Sequence, residues 1–446
     1  MKNLLIKICN FSFGNFEEQE IKRFVRVGLI FFLLIGIYWT LRPLKDSIFI
    51  QLVGKTFIPY AKTISLILIL PILSIYTKLL KRFKQEKTFC ILIYFYITII
   101  TLFVLPVFLS QCHIITDKLI SNIIGYSWYF IVESFGSIMI VLFWGILTDN
   151  TDAQSAKKGF ALVYLLGQVG GAILPLTITR IPLVLGMKTD IICFIAVVCA
   201  MCLMIPISKK FFVAMPIAHD ESSVNNGNQA VNKKTKFIDG IKLLCSHRYL
   251  MGLLLMELSF EFVMTIIDFN FKILAGTVYS GVELTQYLGK MASSVNTMSA
   301  LIIIFLSNRI QRLFSLKTAI LSIPVIVGGI FLYFIMNTTP SLQTMFILVI
   351  ISKAVNYAFR SSFKQLYIPT TPDVHFRLQA WNDVFGSRSA KQLGSVFNMF
   401  YSIVGKMKYL MFSKVIGLPL VTIWITTAFY LGKTHERAIN NKKIII

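Results

Sequence analysis

Glu257-Leu258-Ser259-Phe260-Glu261 and, further along the same apolar run, Asp268-Phe269-Asn270-Phe271-Lys272 form a stretch long enough to cross a bilayer. A helix turns about 100° per residue, which brings Glu257, Glu261, Asp268 and Lys272 within an arc of roughly 60°. Three carboxylates and an ammonium therefore make one stripe on an otherwise greasy helix. A charge at the bilayer centre costs at least about 2.5–3.5 kcal/mol on the insertion scale. Such a stripe is tolerated where it looks into a wet cavity. The alternative is that Glu257 lies at the interface and Glu261 and Lys272 snorkel outward. That alternative leaves Asp268 near mid-membrane.

The composition around this stretch points the same way. The chain has 446 residues, of which 56% are hydrophobic and only 14% charged, with 38 Phe. A soluble core of this size needs no such bias, so the chain is a polytopic membrane protein. The net charge of +24 gathers in short loops, as expected of cytoplasmic loops, so no nucleic-acid partner is needed to explain it. A positive cavity for an anionic ligand is a second source of it. The seven cysteines are scattered, and Cys199-x-x-Cys202 sits among Ala, Met and Leu as ordinary helix packing.

Taken outward from the stripe, the chain divides into a cytoplasmic N-terminal segment 1–23, a first bundle 24–208, a cytoplasmic linker 209–248, a second bundle 249–432 and a cytoplasmic tail 433–446. The expected fold is all-α and integral to the membrane, with about twelve transmembrane helices in two six-helix bundles. The loops after the even-numbered spans and the tail are richer in Lys and Arg, which puts both termini in the cytoplasm. Lys406 and Lys408 are exceptions to that rule.

Other spans carry their own charges. Span 1 ends in Trp39-Thr40-Leu41-Arg42-Pro43-Leu44-Lys45-Asp46-Ser47. Arg42, Lys45 and Asp46 share a face if the helix continues through Pro43. The alternative is a basic interfacial cap anchored by Trp39. Span 4 carries a lone Glu133, a functional-site candidate by default or a carboxyl held neutral between helices. In span 5, Gly167 and Gly171 form a small-xxx-small pair that favours close helix contact. In span 11, Asp383, Ser387 and Lys391 fall within about 80° of arc, with Arg388 beside them. The alternative there is a surface helix over 380–392 before a shorter span.

These pieces resemble a family. Leu41-Arg42-Pro43-Leu44-Lys45-Asp46-Ser47 is similar to the span-1 motif of the bacterial and plastid ATP/ADP translocases, the Tlc nucleotide transporters. Glu20-Ile21-Lys22-Arg23-Phe24, Glu133 with Phe143-Trp144, Gly289-Lys290, Tyr367-Ile368-Pro369, Asp383-Val384 and Lys391 resemble further segments, in order along almost the whole chain. Asp268-Phe269-Asn270-Phe271-Lys272 resembles the family's E-x-x-W-K pattern with Asp for Glu and Phe for Trp. Gln379 stands where the family has a basic residue, and the stretch before Tyr367 lacks Asp-Pro-Thr-Lys-Glu. The resemblance implies a major-facilitator-like fold, with Lys45, Glu133, Asp268 and Lys391 on the charged transport positions. It also implies an ATP/ADP antiporter in the inner membrane of an obligate intracellular bacterium.

Nucleotides bring phosphate charges and a flat base. Lys45 and Lys391 would hold the phosphates, helped by Arg42, Lys272 and Arg388. Glu133 and Asp268 would hold those two lysines while no substrate is bound. Tyr38, Trp39, Phe271 and Trp381 are the candidate base platforms. Glu257 and Glu261 are the candidate proton carriers of the rival reading, a proton-coupled importer of a nucleotide or other anionic metabolite. A membrane transferase would need acid–base groups or metal ligands in interfacial loops, and the five histidines show no metal spacing. A non-transporting sensor would not need charges on four spans. The expectation is a monomeric transporter, not an enzyme, without metal or cofactor.

Overall fold

The computed structural model describes residues 18–83, 85–151, 153–213, 247–305, 315–337, 339–367, 369 and 386–441. Most of the 209–248 linker, most of the N-terminal segment, the end of the tail, Trp381 and Asp383 lie outside the described residues.

Among the described residues the structure consists of helices, without strands. In order they are α1 (Glu18–Leu52), α2 (Ile58–Arg82), α3 (Gln85–Gln111), α4 (Lys118–Asp149), α5 (Ala153–Ile178), α6 (Ile191–Val213), α7 (Arg248–Val278), α8 (Gly281–Phe305), α9 (Leu316–Met336), α10 (Leu342–Gln365) and α11 (Ser387–Asn440). A single turn, Ile181–Val184, precedes α6. Nine of the described helices are long and apolar enough to cross a membrane. Gly405 sits inside α11 at φ 78° and ψ 167°, so the 54-residue helix is broken there. The left-handed φ favours glycine, which has no Cβ to clash. Residues 387–404 and 406–440 of this helix lie on either side of the break.

The chain folds as two compact units, Met1–Ala218 with Lys272–Ile304, and His219–Phe271 with Phe305–Ile446. The division falls inside α7, between Phe271 and Lys272. The first unit therefore takes in α8 from beyond the linker.

In the first unit α1 packs along α5 and also against α4 and α6. Small residues set the closeness of α1 and α5. A Cβ on Gly170 would stand 2.1 Å from the Phe32 carbonyl oxygen, and one on Gly167 would stand 2.4 Å from the Phe31 ring. Backbone-to-backbone approach of this kind is how membrane helices gain dispersion energy without a hydrophobic driving force. The helix α1 continues through Pro43 to Leu52. Arg42, Lys45 and Asp46 therefore share a helical face. Helix α4 starts at Lys118. The Asp117 side chain caps it, accepting from the amides of Leu119 and Ile120 at 2.7 and 3.3 Å.

In the second unit α11 packs against α9, which also packs on α10. Gly417 of α11 meets the Phe331 ring of α9, and Gly394 meets Thr265 of α7. Large apolar side chains lie outward on both units, among them Leu102 and Leu105 on α3 and Ile403, Met407 and Met411 on α11. An outward apolar face is what a bilayer solvates.

Candidate substrate site

The first unit gathers charge around Lys45. Its ammonium is 2% exposed and ion-pairs with Glu133 of α4. It also lies 3.7 Å from Asp46 Oδ1 and 4.1 Å from the centroid of the Tyr129 ring. On the far side of Asp46, Lys272 Nζ approaches Oδ2 at 2.8 Å, with the two side chains 4% and 6% exposed. The result is an alternating chain, Glu133, Lys45, Asp46 and Lys272, whose formal charges cancel. An uncompensated buried charge is strongly destabilising, so alternation is what allows four charges in one greasy bundle. The Arg42 guanidinium, on the same helical face, lies 4.7 Å from the Trp39 ring centroid and 5.7 Å from that of Tyr38.

Among the described residues the second unit shows two ion pairs. Asp268 Oδ1 accepts from Lys353 Nζ at 3.0 Å. Glu261 Oε1 accepts from Ser387 Oγ at 3.0 Å and lies 3.3 Å from Lys391 Nζ. Glu257 is half-buried one turn before Glu261, and Arg388 is half-buried beside Ser387. The expected partner of Asp268 thus changes. Asp268 stands about 10 Å further along α7 than Glu261. Gly394 of α11 rests on Thr265, and Ser387 bonds Glu261, so Lys391 enters at the level of Glu261.

Lys353 went unread in the sequence although a signal was there. It is the lone cation in the apolar run Ile347-Leu348-Val349-Ile350-Ile351-Ser352-Lys353, and an isolated intramembrane charge is a site candidate by default. Asp46 was legible as part of a charged face, but not as the bridge between two lysines.

The aromatic candidates differ in access. Phe271 is fully buried against Phe346, and Trp39 is also buried. Tyr38 is half-buried. Its ring lies over Gly136 of α4, where a Cβ would come within 2.2 Å of the ring. Gly289 of the Gly289-Lys290 pair is needed for a similar reason, since a Cβ there would lie 2.2 Å from Thr179 Oγ1. Among the described residues no cluster of His, Cys, Asp and Glu is arranged to hold a metal ion.

A profile of the TLC ATP/ADP transporter family matches residues 6–435. The chain belongs to the TLC ATP/ADP transporter family. As a TLC protein it is a multi-pass membrane transporter of nucleotides rather than an enzyme. It is similar to ADP,ATP carrier protein 1 of Rickettsia prowazekii (strain Madrid E), with 24% identity over 96% of both chains. It is also similar to ADP,ATP carrier protein 4 of Rickettsia felis (strain ATCC VR-1525 / URRWXCal2), with 21% identity over 94% of this chain and 92% of the relative. Solved structures of like fold include a bacterial homologue of the iron transporter ferroportin in its inward-facing state, at 10% identity and TM-score 0.59, covering 94% of this chain and 98% of that one. The peptide transporter POT in complex with sulfate matches at 10% identity and TM-score 0.53, covering 94% of each chain. These likenesses place the TLC chain in the major-facilitator-like fold class.

Proposed function

We propose that this transporter exchanges one adenine nucleotide for another, with the lysines of its two charged clusters as phosphate ligands. The single observation that supports this reading is the neutralised state of Lys45 and Lys272, buried and matched by Glu133 and Asp46. A polyphosphate competes with those carboxylates for the same ammonium groups. When substrate leaves, the carboxylates take the lysines back, so no bare cation remains in a low dielectric. In this reading Glu133, Asp46, Asp268 and Glu261 are stand-ins for phosphate, while Lys45, Lys272, Lys353 and Lys391 are its ligands. Arg42 and Arg388 supply further positive charge, and half-buried Tyr38 offers a face to the base.

The same reading puts the chain in an inner membrane with both termini and the 209–248 linker on the cytoplasmic side, as a monomer. Membrane-impermeant cysteine reagents applied to intact cells should leave linker positions unmodified. Proton coupling through Glu257 or Glu261 is the rival. Uptake driven by an imposed pH gradient in the absence of counter-substrate would favour it.

The test is nucleotide binding to purified variants beside counterflow in vesicles. Lys45→Ala and Lys391→Ala each remove a charge-assisted contact worth on the order of 1.5–3 kcal/mol. The expected loss is roughly tenfold to a hundredfold in affinity. A variant that binds nucleotide as tightly as the parent protein removes that lysine from the phosphate site.

A further inference from the structure

A buried carboxyl outside the charged clusters pairs with no cation among the described residues. Asp190 precedes α6 and is 0% exposed. Its Oδ2 accepts from Gln111 Nε2 at 2.8 Å, and its backbone amide donates to Gln111 Oε1 at 3.0 Å. Gln111 also reaches Gln51 Oε1 of α1 at 3.3 Å. The Asp190 Oδ1 atom is buried and receives no hydrogen bond from the described residues. The Thr285 hydroxyl of α8 faces the carboxyl and donates to the Gly281 carbonyl at 3.3 Å. Four helix ends of the first unit therefore meet at one acid: the C-terminal ends of α1 and α3 and the N-terminal ends of α6 and α8.

The groups that face Asp190 are neutral. They are Gln111 from α3, Gln51 behind it from α1, Thr285 from α8 and the buried thiol Cys193 from its own helix. Lys188, Arg180 and Glu283 at this end are exposed, and among the described residues no lysine or arginine pairs with Asp190. An isolated ionised carboxylate is expensive to bury, and in practice such a group neutralises instead. Burial pushes the Asp190 carboxyl up from its ordinary range, and the bond from Gln111 offsets only part of that rise. A helix-capping role would use Oδ1 on the first amides of α6, and Oδ1 makes no such bond.

We propose that Asp190 is a proton-binding site, protonated while these four helix ends are packed together and ionised when water reaches them. The proton resides on Oδ1, and the Thr285 oxygen beside the carboxyl is available to accept from it. This inference stands apart from the nucleotide reading, since it concerns a different set of side chains and holds for any substrate.

The experiment is infrared spectroscopy of the full-length transporter in vesicles across a pH series, beside thermal unfolding of the parent protein and Asp190→Asn. A carboxylic-acid carbonyl band should persist at neutral pH and be missing in Asp190→Asn. The folded-state value is raised, so the proton favours the folded protein. Stability from this group is full below the unfolded value, near 3.8, and is lost as pH climbs through the folded value. The parent protein should therefore lose more stability than Asp190→Asn over that climb. Gln111→Ala removes a bond that favours the ionised form and should move the disappearance of the band to higher pH. Absence of the acid band at neutral pH in the parent protein overturns the proposal. So does a sodium-dependent rise in Tm that Asp190→Asn lacks, because the occupant would then be a metal cation.

Discussion

The two charged clusters solve one problem differently. In the first unit Lys45 and Lys272 are 2% and 4% exposed, and they share Asp46 within one four-member chain. In the second, Lys353 and Asp268 are 16% and 11% exposed and pair with each other, while Lys391 is 56% exposed beside Glu261. Burial decides what each group is worth. A charge deep in the first cluster cannot be removed without stranding its neighbour. The Lys391 side chain is more than half exposed, so its pairing with Glu261 contributes little to folding. The first cluster keeps its two lysines in buried pairs, whereas the second leaves the Lys391 side chain more than half exposed.

The sharpest way to break this contrast is Asp46→Asn. It leaves Lys272 buried without its carboxylate, and breaking a buried pair from one side costs about 3–5 kcal/mol. Thermal unfolding in detergent should show a large drop in Tm. Adding Lys272→Met should recover much of it, because the stranded charge goes too, while nucleotide counterflow stays lost. Equal damage from the single and double variants would mean that Asp46 is held by something other than that pair.

Next in size is Lys353→Ala. The pair is partly exposed, so the stability loss should be smaller, about 1–3 kcal/mol. Transport should fall roughly tenfold or more if Lys353 contacts phosphate. Unchanged counterflow would leave Lys353 as a purely structural partner of Asp268.

Lys391→Ala should alter stability by less than about 1 kcal/mol while weakening nucleotide binding. A large drop in Tm for this variant would erase the contrast between the clusters. Ser387→Ala is the smallest change. It removes one hydrogen bond to Glu261, worth about 0.5–1.5 kcal/mol, and should show only as a modest loss of stability.

Much of this was legible in residues before any coordinates. Intramembrane charges announce themselves against an apolar background, which is why Lys45, Glu133, Glu261, Asp268, Lys272 and Lys391 could be singled out. Lys353 was equally visible by that rule. Asp190 was not, because an Asp at the start of a helix reads as an ordinary cap, and only burial distinguishes it.

The sequence by itself determined the class of molecule, the placing of charges on helical faces and the family. Those follow from hydropathy, helical period and motif order, all local or additive along the chain. Tertiary structure decided the partners: Lys45 with Glu133, Lys272 with Asp46, Asp268 with Lys353 and Lys391 with Glu261. Pairing depends on how far each helix slides past its neighbour. That offset is set by side-chain contacts such as Gly394 on Thr265 and Gly170 on Phe32, and these join residues far apart in the chain. A shift of one turn, about 5.4 Å, would exchange every partner without altering a single helical face.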